Sequence, residues 1–292
     1  PVAEPKAWAA LPASWLMKSL IRGPVAPISD PVLKDYLIGY AKTAVNDVHP
    51  DVKAFESDNG QGLVNWSAEV EGWLFDRPFA LWNVYVQTGD VKWLRHAHRA
   101  SQYYASMIAR DDVSHPPHRR GAFLKRSPTS ATDPGDPKYS HAGGLFAAYL
   151  LTGDAGLLDP IRATAEFVGA RIATRLFPYD KVTGLWTERQ LAAALNGAVY
   201  AYEATGDKVF ADRARAIVEG MKTDVTTPPA GYPSDMRGVL LHRPEVHEGT
   251  TQQDMVMSPW MSALLVEALS HYHVLGEDRT SLEFLSSYAQ FV

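Results

Sequence analysis

The sequence predicts an all-α protein built from helical hairpins, and two observations support this prediction. The first is a repeated turn: Thr-Gly-Asp occurs at residues 88–90, 152–154 and 205–207, and Gly-Glu-Asp occurs at residues 276–278. The second is that apolar residues recur at helical spacing on both sides of each turn. With 292 residues and 46% hydrophobic content, the chain can also bury a large core.

Each repeated turn has the chemistry of a helix end followed at once by a helix start. Glycine after an apolar helix takes φ > 0 without steric strain, so it commonly ends the helix. Aspartate is a good N-cap, because its carboxylate accepts hydrogen bonds from the first N–H groups of the next helix. We therefore expect tight αα-hairpins that turn at Gly89, Gly153, Gly206 and Gly276.

The helices on the two sides of the turns differ in composition. Those before the turns are rich in small residues, such as Gly143 and Gly144, which let helices approach on both sides and predict an inner layer. Those after the turns carry charges on one face, which predicts an outer layer. The outer helix after the second turn is expected to have Asp159 as its cap and Pro160 at its first position. The inner helices are expected to begin near Trp73, Tyr139, Trp186 and Pro259.

Long segments rich in proline and glycine precede the inner helices, at residues 23–31, 115–136 and 226–249. A loop longer than about 12–15 residues in a compact domain is usually functional or disordered. A short β-like run at residues 239–241 predicts a small β-hairpin insertion near residues 231–250.

The composition argues against several classes of partner and binding site. A net charge of −5 without a basic run argues against nucleic-acid binding, and no apolar run approaches the ~20 residues that span a bilayer. The absence of cysteine excludes a disulfide framework and thiolate metal sites. The sequence begins at Pro1 rather than Met, which resembles a processed or trimmed terminus and leads us to expect a periplasmic or secreted bacterial protein.

Histidine-containing stretches carry weaker signals. His96 and His98 are separated by one residue on an outer helix, so they point to different faces and are expected at the surface. The stretch HRPEVHEG, residues 242–249, offers ligand types suited to zinc or calcium, but its spacing matches no zinc motif, so neither a metal nor another cofactor is predicted. Metal binding stays an open question for His242, Glu245, His247 and Glu248.

The hairpin pattern resembles the (α/α) toroids of the six-hairpin glycosidase-like superfamily, which includes polysaccharide lyases, unsaturated glucuronyl hydrolases and sugar epimerases. The phrase DPKYSHAGGLFAAYLLTGD, residues 136–154, is similar to a stretch of some exo-acting pectin-type lyases. The resemblance covers residues 64–292 and implies a single toroid domain, assigned to residues 1–292. Four turns are fewer than the six hairpins of a closed ring, so either the ring is incomplete or the chain is part of a longer protein.

In these toroids the substrate cleft lies over the starts of the inner helices, so the resemblance implies a site there. Aromatic rings at these positions can stack on sugars, arginines can bind carboxylates, and other side chains can transfer protons. A tryptophan near a helix start is more often a core residue, and an acidic side chain there can simply cap the helix, so the set is more informative than any member. The predicted catalytic residues are Tyr139, His141, Arg189, Asp76, Glu188 and Asp254. The predicted substrate-binding residues are Trp73, Arg77, Lys138, Trp186, Gln253 and Trp260.

The leading functional hypothesis is a polysaccharide lyase that cleaves an acidic, uronate-containing polysaccharide by β-elimination. Such an enzyme must neutralise the uronate carboxylate, take the C5 proton and protonate the leaving oxygen. Tyr139 or His141 would act as base and acid, and Arg189 with Arg77 would bind the carboxylate. If the inner-helix starts form one site, Tyr139, His141, Arg189 and at least one of Asp76 and Asp254 should converge on a common cavity.

Two alternatives remain open at this point. A glycoside hydrolase of the same fold would use a pair of carboxylates, such as Asp76 with Glu188 or Asp254, at a separation of roughly 5–9.5 Å. A non-catalytic glycan-binding module would need the tryptophans as stacking platforms but no titrating group. The sequence does not decide which glycan is bound, which end of it is attacked or whether the protein oligomerises.

Overall fold

The structure, a computed structural model, describes residues 5–23, 25, 27, 35, 73–110, 119–124, 132–172, 188–228, 238–242 and 255–291. Of these residues 70% are helical, so the prediction of an all-α fold is confirmed. The helices of the described segments are α1 (Ala13–Lys18), α2 (Arg77–Thr88), α3 (Val91–Ser106), α4 (Gly143–Thr152), α5 (Leu158–Arg171), α6 (Glu188–Thr205), α7 (Lys208–Thr226), α8 (Pro259–Gly276) and α9 (Arg279–Phe291). Short 3₁₀ turns, Pro137–Tyr139 and Ala155–Leu157, precede α4 and α5.

The three Thr-Gly-Asp turns share one geometry. Gly89, Gly153 and Gly206 have φ angles of 66°, 71° and 70°, and each follows the last residue of a helix, as predicted. The threonine before each glycine accepts the N–H of the aspartate after it, at 3.2, 3.3 and 3.2 Å. Each aspartate then accepts the N–H two residues further on, at 2.8, 2.9 and 3.1 Å. The motif therefore closes one helix and caps the next.

The fourth turn uses a different residue for the left-handed position. Gly276 is the last residue of α8, and it is Glu277 that takes the positive φ of 47°. Asp278 still accepts the N–H of Ser281 at 2.8 Å, so the cap of α9 is preserved. A glutamate at positive φ carries steric strain that a glycine would not.

The second turn also departs in detail from the expectation. Asp154 caps a 3₁₀ turn rather than α5 itself, and α5 already begins at Leu158. Asp159 therefore lies inside the first turn of α5 and is not its cap, which corrects the prediction. Pro160 occupies the third helical position, where its missing N–H is harmless because no carbonyl of the helix lies four residues earlier.

The Cα atoms group into two compact units, Pro1–Ile161 and Arg162–Val292, which are called unit 1 and unit 2 below. Helix α5 begins in unit 1 and continues into unit 2. The assignment of residues 1–292 to a single domain stays a prediction.

In unit 1, α2 packs against α1, α3 and α4. Trp82 on α2 is fully buried and donates its Nε1–H to the Ser101 hydroxyl on α3 at 2.9 Å. The start of α2 is joined to the start of α4, because Asp76 accepts the N–H of Gly144 at 3.0 Å. The two packed helices α2 and α4 therefore begin side by side.

In unit 2, α6 packs against α7 and α8, and α8 packs against α9. The starts of α6 and α8 lie close together, since the Arg189 Cζ atom is 5.7 Å from the centre of the Trp260 ring. Arg213 on α7 donates to the carbonyls of Gly169 and Ile172 at the end of α5, the latter at 2.7 Å. A cation there complements the negative end of the α5 dipole.

The histidines of α3 contradict the expectation of a surface position. His96 and His98 are only 5% and 6% exposed. The segment that precedes α1 contributes to this burial, because the Trp8 ring meets the His98 ring edge-on with 5.0 Å between centres. The separation of these histidines in the sequence cannot reveal that another segment of the chain contacts α3.

The described segments contain isolated β-bridges, each a single residue pair, and no extended β-strand. One bridge joins His242 and Val256, which exchange two N–H···O bonds of 2.9 Å. Residues 229–237 and 243–254 lie outside the described part of the chain, so the β-hairpin near residues 231–250 stays a prediction. Among the described helices, none is both long enough and apolar enough to span a bilayer.

Candidate functional site

Asp76 lies at the start of α2 and beside the start of α4, each of which is the first helix of its hairpin. Its carboxylate accepts the N–H of Phe79 at 3.2 Å and the N–H of Gly144 at 3.0 Å, so one side chain serves the N-termini of α2 and α4. Glycine is required at position 144, because a Cβ there would lie 2.6 Å from the nearer carboxylate oxygen and 2.4 Å from Pro78. With both oxygens bound to the main chain, this geometry favours a structural role for Asp76 over the predicted catalytic one.

Trp73 is a core residue of the same region. Its ring is fully buried, and its centre lies 5.3 Å from Tyr103 and 5.7 Å from Phe123. The Arg77 guanidinium lies 4.8 Å from the ring centre, within the range of a cation–π contact. This burial favours a core role for Trp73 rather than direct stacking on a sugar, while Arg77 lies at the start of α2 as predicted.

His141 is half-buried on the segment that leads into α4. Its ring Nε2 lies 3.1 Å from the carbonyl oxygen of Leu74. A carbonyl can only accept, so Nε2 must carry the proton, and in the neutral ring the lone pair is then on Nδ1. This main-chain contact therefore favours the tautomer with the proton on Nε2 over the one with the proton on Nδ1.

Tyr104 on α3 holds the main chain around His141. The Tyr104 hydroxyl donates to the carbonyl of Tyr139 and accepts the N–H of His141 at 2.7 Å. Its fully buried ring stacks on Phe123 with 4.5 Å between centres. Burial, with a smaller contribution from the negative charge of Asp76, raises the pKa of Tyr104 well above its usual value, so the hydroxyl stays protonated.

Unit 1 thus brings several predicted residues together. Tyr139 and His141 share the contact with Tyr104, and His141 reaches the Trp73–Arg77 segment through Leu74. The side chain of Tyr139 is 7% exposed, whereas those of His141 and Lys138 are half-exposed. Of this group, His141 and Lys138 can meet a ligand from solvent most readily.

Unit 2 contains a second titratable cluster around Glu188. The Glu188 carboxylate and the His242 imidazole are both fully buried, with 2.9 Å between Oε2 and Nδ1. The contact is electrostatic, since the two atoms are not aligned as in a hydrogen bond. A fully buried carboxylate does not reach a substrate in this conformation, which favours a structural role for Glu188 over the predicted catalytic one.

Tyr288 on α9 completes the cluster. Its hydroxyl accepts the N–H of Leu240 at 3.1 Å, and the ring is 2% exposed. Burial raises the pKa of Tyr288 most, and the negative charge of Glu188 raises it further, whereas the Leu240 N–H and the Ser262 hydroxyl act in the opposite direction.

The remaining predicted residues fall into two groups. Arg189 and Trp260 lie together in unit 2, and Trp260 is 41% exposed, so its ring is accessible to a ligand. The other group lies outside the described residues and consists of Trp186, Gln253 and Asp254. Convergence of the whole set on one cavity stays a prediction.

The described residues contain no group of three or more His, Asp or Glu side chains arranged to hold a metal ion. Of the stretch that raised the metal question, only His242 is described, and it faces Glu188. Glu245, His247 and Glu248 lie outside the described part, so that question stays open.

Sequence reasoning missed Tyr104, Tyr288 and the pairing of His242 with Glu188. The two tyrosines lie on second helices of hairpins, where an apolar periodic position predicts only a core residue. A signal was present for His242, because it had been singled out as a ligand type. Its partner could not be identified, since 54 residues of sequence separate the two positions and only folding brings them together.

Comparisons with protein-family models, with curated proteins and with solved structures found no match to the chain. The geometry alone therefore defines the class of the protein. It is a helical-hairpin protein whose first helices begin in pairs and gather aromatic, basic and acidic side chains at their starts.

Proposed function

We propose that this protein is a polysaccharide lyase that cleaves a uronate-containing polysaccharide by β-elimination, on hairpins arranged as in an (α/α) toroid. The observation that carries the proposal is the state of His141: its Nε2–H is bound to the Leu74 carbonyl, and its half-exposed ring has Nδ1 as the basic nitrogen. A neutral imidazole is a suitable base for a C–H proton near neutral pH.

Nearby cations supply the second requirement of the reaction. Lys138 is half-exposed three positions before His141, and Arg77 begins α2 directly after the carboxylate that is bound to α4. A cation beside the uronate carboxylate stabilises the negative charge that spreads onto it as the C5 proton leaves. We assign this role in unit 1 to the half-exposed Lys138, because Arg77 is only 9% exposed and packs on Trp73. Within unit 2, Arg189 with Trp260 is proposed as a sugar-binding pair of that unit alone.

The proposed reaction balances without a cofactor. His141 Nδ1 takes the C5 proton, the C5–H electron pair forms the C4=C5 double bond, and the C4–O bond breaks. The leaving oxygen takes a proton from the imidazolium, or from the Tyr139 hydroxyl, in which case the imidazolium returns its proton to the tyrosinate. The product carries an unsaturated uronate. Because such polymers lie outside the cell, a periplasmic or secreted location is part of the proposal.

The surroundings of the two described acidic candidates, Asp76 and Glu188, weigh against the hydrolase alternative. Hydrolysis needs one carboxylic acid and one carboxylate in contact with the glycosidic bond. Both oxygens of Asp76 accept main-chain N–H groups, and Glu188 is fully buried against His242. The paired first helices, α2 with α4 and α6 with α8, support the toroid-type arrangement.

The test is a panel of polymers containing uronate, with a neutral glucan as control, followed both by ultraviolet absorbance of the unsaturated product and by new reducing ends. A lyase raises both signals. New reducing ends without absorbance would make the protein a hydrolase, and binding without either signal would make it a glycan-binding module.

A matched pair of histidine variants sharpens this test. His141→Ala should lower turnover at least about a hundredfold, the usual size of a general-base contribution. His271→Ala is the control, because His271 is also half-buried and anchored, by Glu203 Oε2 at 2.8 Å, but has no part in the proposed reaction. Equal activity of both variants would rule out His141 as the base.

A further inference from the structure

The Tyr104 hydroxyl binds two successive peptide units, one on each side of Ser140, in the segment that carries His141. Its single hydroxyl proton goes to the Tyr139 carbonyl, so the oxygen lone pairs accept the His141 N–H at 2.7 Å. The residue between them, Ser140, is held as well: its hydroxyl accepts the Phe123 N–H and donates to the Asp136 carbonyl, both at 3.1 Å. Residues 139–141 are therefore fixed to α3 and to the Phe123 segment.

The ring of His141 is anchored separately from its main chain. Nε2–H is bound to the Leu74 carbonyl at 3.1 Å, just before α2, whereas the main-chain N–H is bound to Tyr104 on α3. Two anchors on different elements leave little freedom for rotation about the bonds between them. The direction of Nδ1, and hence of its lone pair, then depends on both anchors.

We propose that Tyr104 is a positioning residue for His141, which holds Nδ1 in the direction from which it takes the C5 proton. This inference rests on the proposed function, because it assigns a task to Tyr104 within that reaction. Tyr104 is fully buried and does not touch the substrate, so it acts only through the segment that it holds.

The hydroxyl and the ring of Tyr104 contact different groups, so their roles can be tested separately. The ring stacks on Phe123 at 4.5 Å and lies 5.9 Å from Trp73, contacts that phenylalanine would keep. Tyr104→Phe therefore removes the two hydrogen bonds and little else. A matched control is Tyr85→Phe, since Tyr85 is also buried in unit 1 and its hydroxyl accepts a main-chain N–H, that of Leu11, at 3.1 Å.

The experiment combines kinetics with nitrogen-15 NMR of histidine-labelled full-length protein, the His141 signals being assigned with His141→Gln. The wild type should show His141 as one tautomer with the proton on Nε2. In Tyr104→Phe, that signal should broaden or split between tautomers, and kcat should fall by about tenfold to a hundredfold with KM nearly unchanged, the size expected for a misplaced reacting group. Tyr85→Phe should leave the His141 signal as in the wild type.

The two readouts distinguish the two proposals. If the protein cleaves no uronate polymer but the His141 signal still changes in Tyr104→Phe, the lyase proposal fails and the anchoring geometry stands without its catalytic task. If the signal and kcat match those of the wild type, or if Tyr85→Phe changes both as much, Tyr104 does not position His141.

Discussion

Unit 1 and unit 2 contain the same local arrangement with different partners for the acidic residue. In each, a buried tyrosine on the second helix of a hairpin binds the main chain of a segment that precedes a first helix, and an acidic side chain lies at the start of another first helix. In unit 1 these residues are Tyr104 and Asp76, and in unit 2 they are Tyr288 and Glu188. Each acid raises the pKa of its tyrosine.

The two acids are stabilised by different means. Asp76 accepts two main-chain N–H groups at helix N-termini, where the helix dipoles also favour a negative charge. Glu188 faces the imidazole of His242 and is fully buried. This difference shows that a carboxylate at a helix start can be stabilised by main-chain hydrogen bonds or can lie buried against a distant imidazole, and the second arrangement makes unit 2 more sensitive to losing one partner.

The largest expected effect is the loss of this distant partner. His242→Leu leaves Glu188 buried without the imidazole, so the free energy of unfolding should fall by about 3–5 kcal/mol in urea denaturation. The double variant Glu188→Gln/His242→Leu should regain part of that loss, since no buried charge remains. His271→Ala, which breaks a half-exposed pair with Glu203, should cost less than about 1 kcal/mol. Equal losses for the two single variants would contradict the distinction.

The next effect concerns the carboxylate of unit 1. Asp76→Ala removes the acceptor at two helix N-termini and should lower the free energy of unfolding by about 2 kcal/mol, roughly one per cap. Asp76→Asn keeps one acceptor oxygen and also tolerates the positive φ of 46°, so it should lose only about half as much. An asparagine variant as unstable as the alanine variant would show that charge, rather than acceptance of hydrogen bonds, is what matters.

A third pair of variants compares the turns of the two units. Gly153 has a φ of 71° and no atom within 4 Å of an added Cβ, so Gly153→Val should be destabilising through backbone strain alone, by about 1–2 kcal/mol. Glu277, with a φ of 47°, carries comparable strain already, so Glu277→Gly should stabilise by about 1 kcal/mol. Thermal unfolding measures both, and shifts of the same sign would refute the assignment of strain.

The last prediction concerns the pH dependence of stability caused by Tyr104 and Tyr288, an effect that is absent at neutral pH. Both Tyr104 and Tyr288 have a raised pKa in the folded chain, so above the usual value of 10.0 the unfolded chain releases protons that the folded chain keeps. Stability should therefore fall as pH rises above about 10, by about 1.4 kcal/mol per pH unit for each tyrosine. In urea unfolding between pH 9 and about 11, Tyr104→Phe and Tyr288→Phe should each reduce the fall in unfolding free energy by about 1.4 kcal/mol per pH unit. An unchanged slope would mean that the hydroxyl ionises as readily in the folded chain.

Local sequence determined the hairpins. The helix ends at Gly89, Gly153 and Gly206 and the capping at the following aspartates were predictable because each depends on residues within one turn of helix. The starts of the first helices were predicted within a few residues for the same reason. The positive φ of Glu277 was not predicted, since sequence alone does not show which of two neighbouring residues adopts the left-handed conformation.

Tertiary structure decided what the chemistry-bearing residues do. Asp76 binds the main chain 68 residues away, the proton of His141 is placed by a carbonyl 67 residues away, and Tyr104 reaches both 35 and 37 residues along the chain. A residue type fixes which bonds a side chain can make, but burial and the partner it meets fix its charge, tautomer and accessibility. Those depend on packing between helices, whose contacts are long in sequence and short in space, and no spacing within the sequence encodes them directly.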